Sequence, residues 1–319
     1  YRRQRQMCIR DSYETGKFAS SFPSFSLDAA LISYDGRVSE QWGLYNSKYE
    51  GIDISMSKAW SYATGRGIKV AVIDSGIELT HKDLLGNIYP LSYDAVTGTS
   101  PSKLYREHGT HCAGIIAAVR NNGIQVVGVA PDARLMSVSD SLNNETNMEL
   151  HLANGINWAW ENGADVISCS WMCQKNKLIK DAIDNAFTKG REGKGCVFVA
   201  AAGNIYDTPN VPDEPDIPDA HNVPVIDTNN YTVTFPANYS EDVIAVSNMT
   251  INGILSNGSC YGSNILVTAP GTSILSTIPN DTVGYMSGTS MACPYVAGLA
   301  ALLSLIHISE PTRPLYISY

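Results

Sequence analysis

No apolar run in this sequence reaches the roughly 20 residues that a membrane span requires, and no run of lysine or arginine interrupts its central body. The longest apolar stretch, "VAGLAALLSL" (296–305), is the length of a buried core helix. With a formal charge of −9, the chain also lacks the basic surface that a nucleic-acid partner demands. Its seven cysteines are too few and too scattered for a disulfide framework, and their pairing is not readable. Cys169 and Cys173 have no second Cys/His pair at a matching spacing, so a zinc site is not expected. The opening "YRRQRQMCIRDS" lacks an initiator Met and a signal-peptide pattern, and two prolines break the closing "LIHISEPTRPLYISY". Both ends read as adapter or vector sequence: residues 1–12 as a leader and 306–319 as a tail, the latter cutting short the domain before it.

What remains is an ordinary globular composition, 44% hydrophobic and 17% charged over 319 residues, enough for one large core. Short β-branched runs occur at 68–74, 134–139, 164–170, 196–202, 243–248 and 265–270. They alternate with amphipathic stretches such as "NMELHLANGINWAWENG", apolar at helical spacing and closed by glycine. Repeated strand–helix–strand order predicts an α/β fold in three layers, α/β/α, around a mainly parallel central sheet. In such sheets ligands bind beyond the carboxyl ends of the strands, so polar residues placed there are read first for function.

Three of them stand out. Asp74 ends the strand "VAVID", where a carboxylate is costly unless paired. His108 opens "HGTHCAGIIAAV", and Ser290 opens the helix in "SGTSMACPYVAG". Taken singly, each has a bland reading as a turn residue, a surface histidine or a helix cap. Taken together they supply a hydroxyl, a base to take its proton and an acid to orient that base. Asn204, just past the run "CVFVAAAG", adds an amide able to donate to an oxyanion. A serine at a helix start also offers its own backbone N–H and a favourable dipole.

The segments "VAVIDSGIELTHKDL", "HGTHCAGIIAA", "VVGVAP", "AAAGN", "FPANYSEDVIAVSN", "APGTSILST" and "GTSMACPYVAG" occur in the order and at the separations found in subtilisin-like serine endopeptidases, and residues 41–305 resemble that family's catalytic domain. The resemblance implies a serine endopeptidase acting on protein or peptide substrates through an acyl-enzyme. It assigns Ser290 as nucleophile, His108 as general base and then acid, Asp74 as its orienter and Asn204 to the oxyanion hole. It also implies substrate contacts from Ser170, Trp171, Met172, Ala202, Gly203 and Thr146.

Calcium is the implied cofactor. "NNGIQV" resembles the family's ion-binding loop, giving Asn122 a side-chain oxygen and Ile124 and Val126 backbone carbonyls, while Asp83 matches the family's carboxylate ligand. Hard oxygen donors of this kind suit calcium; an ordinary Asn-Gly turn beside a surface Asp is the alternative. Cys112 resembles a thiol of some members that implies mercury sensitivity. Residues 13–40 read as the end of a pro-segment or a linker, and the family's pro-region implies an inhibitor supplied by the chain itself.

Some features depart from the family pattern. "SWMC" replaces the usual Ser-Leu-Gly-Gly, so Trp171, Met172 and Cys173 are expected to narrow the specificity pocket. "NETN" (144–147) replaces the glycine-rich substrate strand, and Tyr295 stands where histidine is usual. The Pro- and Asp-rich insertion after Asn204 reads as a solvated loop, or as an acidic wall of Asp213, Glu214, Asp216 and Asp219 that favours basic substrates or holds a second calcium. Asn-x-Ser/Thr sequons at Asn144, Asn230, Asn238, Asn248, Asn257 and Asn280 fit a secreted or secretory-pathway monomer. A catalytically silent relative that binds protein chains in the same cleft is the alternative, disfavoured because all four chemical groups are retained.

Overall fold

The computed structural model describes residues 33–143, 146–205 and 232–309, with side chains as far as Ser304. Lys69–Asp74 form β1, which is covered on both faces: Val70 and Val72 enter one hydrophobic core, Ala71 and Ile73 the other. Burial on both sides is why this strand reads as an uninterrupted apolar run. The same holds for β3 (Arg134–Ser139), β4 (Val166–Cys169) and β5 (Val197–Ala201), with β6 (Val243–Met249) and β7 (Val267–Pro270) beyond them. With the two-residue β2 (Tyr93–Asp94) they make a seven-stranded sheet of order β2-β3-β1-β4-β5-β6-β7, parallel at every pairing.

Helices cover both faces, as the α/β reading expects. On one lie α1 (His108–Ala117) and α4 (Thr289–Ser309), packed against each other. On the other lie α2 (Met148–Glu161) and α3 (Lys177–Gly193). α4 continues past Leu305, the boundary read from sequence. Among the described residues no helix is long and apolar enough to cross a membrane. β3 and β4 flank β1 on opposite sides, so the chain reverses its direction of winding there. The crevice that such a reversal opens lies at the carboxyl ends of these strands, where Asp74 and Ser170 stand.

An antiparallel hairpin, β8 (Ile274–Ile278) with β9 (Thr282–Met286), was not anticipated from sequence. Its turn places Asn280 and Asp281 at φ 70° and 56°, the left-handed pair that a tight hairpin needs. The hairpin clamps α1: Ser276 Oγ donates to the His111 carbonyl at 2.7 Å and Thr277 Oγ1 to the Thr110 carbonyl at 2.8 Å. Gly114 makes this approach possible, since a Cβ there would meet both hydroxyls.

Residues 33–40, in the stretch read as pro-segment or linker, pack onto the body: Ser33, Asp35 and Val38 are buried, and Arg37 N–H donates to the Gln125 carbonyl at 2.8 Å. The six cysteines among the described residues are free thiols, all buried except the half-buried Cys173. Of the sequons, Asn248 is buried and Asn238, Asn257 and Asn280 are exposed. Asn144, Asn230 and the acidic residues of the insertion lie outside the described residues, as do the adapter-like leader and most of the tail.

Candidate active site

Asp74 is the last residue of β1 and is buried; His108 is the first residue of α1 and is half-buried. The imidazole Nδ1 lies 2.8 Å from Asp74 Oδ1 and 3.0 Å from Oδ2. A carboxylate against Nδ1 puts the ring proton there and leaves the Nε2 lone pair to act as a base. Burial is the largest single influence and pushes the imidazolium off, but the Asp74 charge and hydrogen bond, joined by those of Cys112, together outweigh it and hold the His108 pKa well above its ordinary value. Asp74 is likewise desolvated, yet the His108 charge and hydrogen bond and the Ser75 donors keep its pKa below the usual carboxylate value.

Ser290 is the second residue of α4, directly after Gly288 at φ 149° and Thr289. Its hydroxyl donates to the Ser170 carbonyl at 3.2 Å. Pro294, inside the helix, has no N–H to give to the carbonyl four residues back, which is that of Ser290. That carbonyl accepts instead from Ser170 Oγ at 2.9 Å and from the Cys112 thiol at 3.5 Å. Cys112 Sγ also lies 3.9 Å from His108 Nδ1, so the starts of α1 and α4 meet across one buried thiol. The proline therefore ties the serine to both the β4 end and the histidine helix.

Asn204 stands just beyond β5, and its Oδ1 accepts from Thr289 N–H at 2.9 Å and from Thr289 Oγ1 at 3.0 Å. A backbone N–H can only donate, which fixes the oxygen of this amide toward Thr289. Nδ2 then lies against Gly288, where a Cβ would approach it to 3.2 Å. The Thr289 hydroxyl also accepts from Gly203 N–H at 3.2 Å.

The remaining substrate-contact candidates divide. Ser170 and Gly203 touch the serine segment directly, and Ala202 pairs with Val246 and Thr234. Trp171 is buried in the second core, with its indole N–H on the Ile73 carbonyl at 3.0 Å, so its ring packs inward. Met172 and Cys173 are half-buried, and Thr146 is exposed in the turn two residues before α2. The buried Tyr295 hydroxyl packs against Gly43 in the core.

His111 lies one turn from His108 and is fully buried, its Nε2 donating to the Ile274 and Gly284 carbonyls at 3.0 and 3.1 Å. Burial first, and then the neighbouring His108 charge, depress its pKa to about 3. The unfolded chain therefore binds the extra proton at higher pH than the folded one, and stability must fall as pH drops from about 6.5 toward 3. We expect a slope of about 1.4 kcal/mol per pH unit from this group. Urea titrations across that window should show it, and His111→Gln, which keeps an N–H donor but does not titrate, should flatten it.

The calcium candidates form a second cluster. Asp83 is buried, accepting from Asn122 Nδ2 at 2.7 Å and Val126 N–H at 2.9 Å, while Asn122 Oδ1 accepts from Ile124 N–H at 2.8 Å and the Ile124 carbonyl from Gly36 N–H at 3.2 Å. Asp35, which sequence reading passed over, is buried beside the same loop and accepts from Asn121 N–H at 2.8 Å and Gly123 N–H at 2.9 Å. Burial pushes the Asp83 carboxyl up against its two donors, and the Asp35 charge adds to the shift.

Comparison with known proteins decides the family: residues 65–307 match the model of the subtilase family. The chain belongs to the subtilase family. It is 38% identical over 253 residues to thermitase of Thermoactinomyces vulgaris, covering 79% of this chain and 80% of that one. It is also 38% identical over 249 residues to the thermophilic serine proteinase of Bacillus sp. strain AK1, and over 245 residues to subtilisin E of Bacillus subtilis. These matches cover 77% and 76% of this chain but only 54% and 57% of those two relatives. A solved protease from Pseudoalteromonas arctica superposes with a TM-score of 0.68 at 30% identity, covering 88% of both chains. By class, this subtilase is a serine-type endopeptidase.

Proposed function

We propose that this subtilase cleaves peptide bonds through an acyl-enzyme formed on Ser290. The observation that carries the reading is the convergence of Asp74, His108, Ser290 and Asn204 from β1, α1, α4 and the end of β5 at the sheet's winding reversal. Ser290 Oγ turns from the Ser170 carbonyl to His108 Nε2, which takes its proton as the oxygen attacks the scissile carbonyl. The proton then passes from Nε2 to the leaving amine, and water repeats the sequence in reverse roles. Asp74 holds the tautomer and stabilises the imidazolium. Asn204 Nδ2 and the Ser290 N–H receive the oxyanion; one such donor contributes about 3 kcal/mol in subtilisin. Stopped-flow hydrolysis of a chromogenic ester tests this: a burst of leaving group stoichiometric with enzyme supports the acyl-enzyme, and turnover of the same ester undiminished in Ser290→Ala overturns it.

The second cluster supports a structural calcium ion. Two buried carboxylates close enough to repel are hard donors that suit this cation, and Asp35, Asp83, Asn122 and the carbonyls of Ile124 and Val126 would hold it. Bound there, the ion would neutralise the two carboxylates, and Asp35 and Asp83 would thereby fasten residues 33–40 to the 121–126 loop. Calcium at a hundredfold excess over Kd is expected to add about 2.7 kcal/mol of stability, read as a rise in Tm that Asp83→Asn abolishes. Substrates in this reading are protein or peptide chains met outside the cell, with the chain's own pro-region as inhibitor and a monomeric active form.

A further inference from the structure

Ser75, which follows Asp74, is fully buried and meets more of the site than its size suggests. Its backbone N–H donates to Asp74 Oδ1 at 2.6 Å. Its hydroxyl lies 3.1 Å from the same oxygen and 3.3 Å from the Arg106 carbonyl, and accepts from Gly109 N–H at 3.0 Å. Its carbonyl accepts from Tyr105 N–H at 2.8 Å and Arg106 N–H at 3.3 Å. A hydroxyl has one proton to give, and the shorter, charge-assisted contact to the carboxylate is the stronger. One residue thus grips the Asp74 carboxylate, the chain entering α1 and the residue after His108.

We propose that Ser75 is a positioning residue for the reaction: its hydroxyl couples the Asp74 carboxylate to the start of α1 and so sets the reach of His108 toward Ser290. The proposal rests on the acyl-enzyme reading above. Without the hydroxyl, Asp74 Oδ1 loses a donor that fixes its rotation, and Gly109 N–H, buried, loses its acceptor. The Asp74–His108 contact then has one anchor, the Ser75 N–H, in place of two.

The test compares Ser75→Ala with Ser75→Thr, which restores a hydroxyl at the same carbon. Per site titrated by a fluorophosphonate, Ser75→Ala should lower kcat about tenfold or more, the rate equivalent of one hydrogen bond to a charged group, with KM within about twofold. Ser75→Thr should recover most of that loss. A purely structural role would lower Tm and the titratable fraction while leaving kcat per site intact, and kcat within about twofold of the parent overturns the proposal. The Nδ1 proton resonance of His108, followed by NMR in a Ser290→Ala background, gives a readout independent of turnover. It should move in Ser75→Ala and return in Ser75→Thr, and an unmoved resonance also overturns the proposal. If the parent chain is not labelled at all, the acyl-enzyme reading fails, while the resonance still reports on Ser75.

Discussion

Ser290→Ala is expected to lower kcat by about 10⁶-fold, the size of this loss in subtilisin itself, with the fold and KM left nearly as they were. The alanine keeps the backbone N–H at the start of α4 and the carbonyl that accepts from Ser170 and Cys112. What disappears is the Oγ proposed to form the covalent bond, so no partial function should remain for His108 to promote. The residual rate should reflect binding and oxyanion stabilisation alone, and for that reason it should be insensitive to a second change at His108. A double variant, Ser290→Ala with His108→Ala, should match the single variant; strictly additive losses would show that the two side chains act separately.

Asp74→Asn is expected to lower kcat about 10⁴-fold and to change the pH profile as well. An amide facing Nδ1 can present its NH₂ group, which turns Nδ1 into an acceptor and moves the ring proton to Nε2, the nitrogen that must be free. The sign of the pH effect follows from the charge. In the parent, the Asp74 carboxylate is the strongest influence raising the His108 pKa, which stands well above its ordinary value, so with His108 as the proposed base the acid limb of kcat/KM is expected at that raised value. Removing the charge lowers the pKa and shifts the limb to lower pH. Stability runs the other way: the folded-state preference for His108⁺ is fully present below the unfolded pKa near 6.5 and is lost as pH rises through the raised folded value. The parent therefore gains activity over the same interval in which this pair's stabilisation fades. Asp74→Asn should uncouple the two, and kcat/KM profiles beside thermal melts at matched pH would show it.

Much of the fold that positions these residues is legible in the sequence. β3 runs over the residues read from sequence, and β1, β4, β5 and β6 match to within one or two, because burial on both faces leaves a continuous β-branched run. The positions of Asp74, His108, Ser290 and Asn204 at the ends of β1, α1, α4 and β5 were readable, because each sits at an abrupt change from apolar strand or small-residue helix to polar residue; their roles belong to the proposed reaction. Asp35 was not: it lies far from Asp83 in sequence, in a stretch read as a pro-segment or linker, and only the packing of residues 33–40 brings it to the 121–126 loop. Nor was the β8–β9 hairpin, whose strands "ILSTI" and "TVGYM" turn polar groups onto α1 and so blur the alternation. Trp171 shows a different limit. Position in a motif names the neighbourhood of a side chain, but which way it points is settled by what it packs on, here the Ile73 carbonyl and the second core.

Fluorophosphonate labelling followed by peptide mapping tests the central claim most directly, because the reagent forms a bond only with a serine oxygen activated by a neighbouring base. Stoichiometric labelling is expected at Ser290, abolished in Ser290→Ala and strongly slowed in Asp74→Asn. A calcium-loaded, demonstrably folded protein that takes no label, or takes it equally in Ser290→Ala, would contradict it.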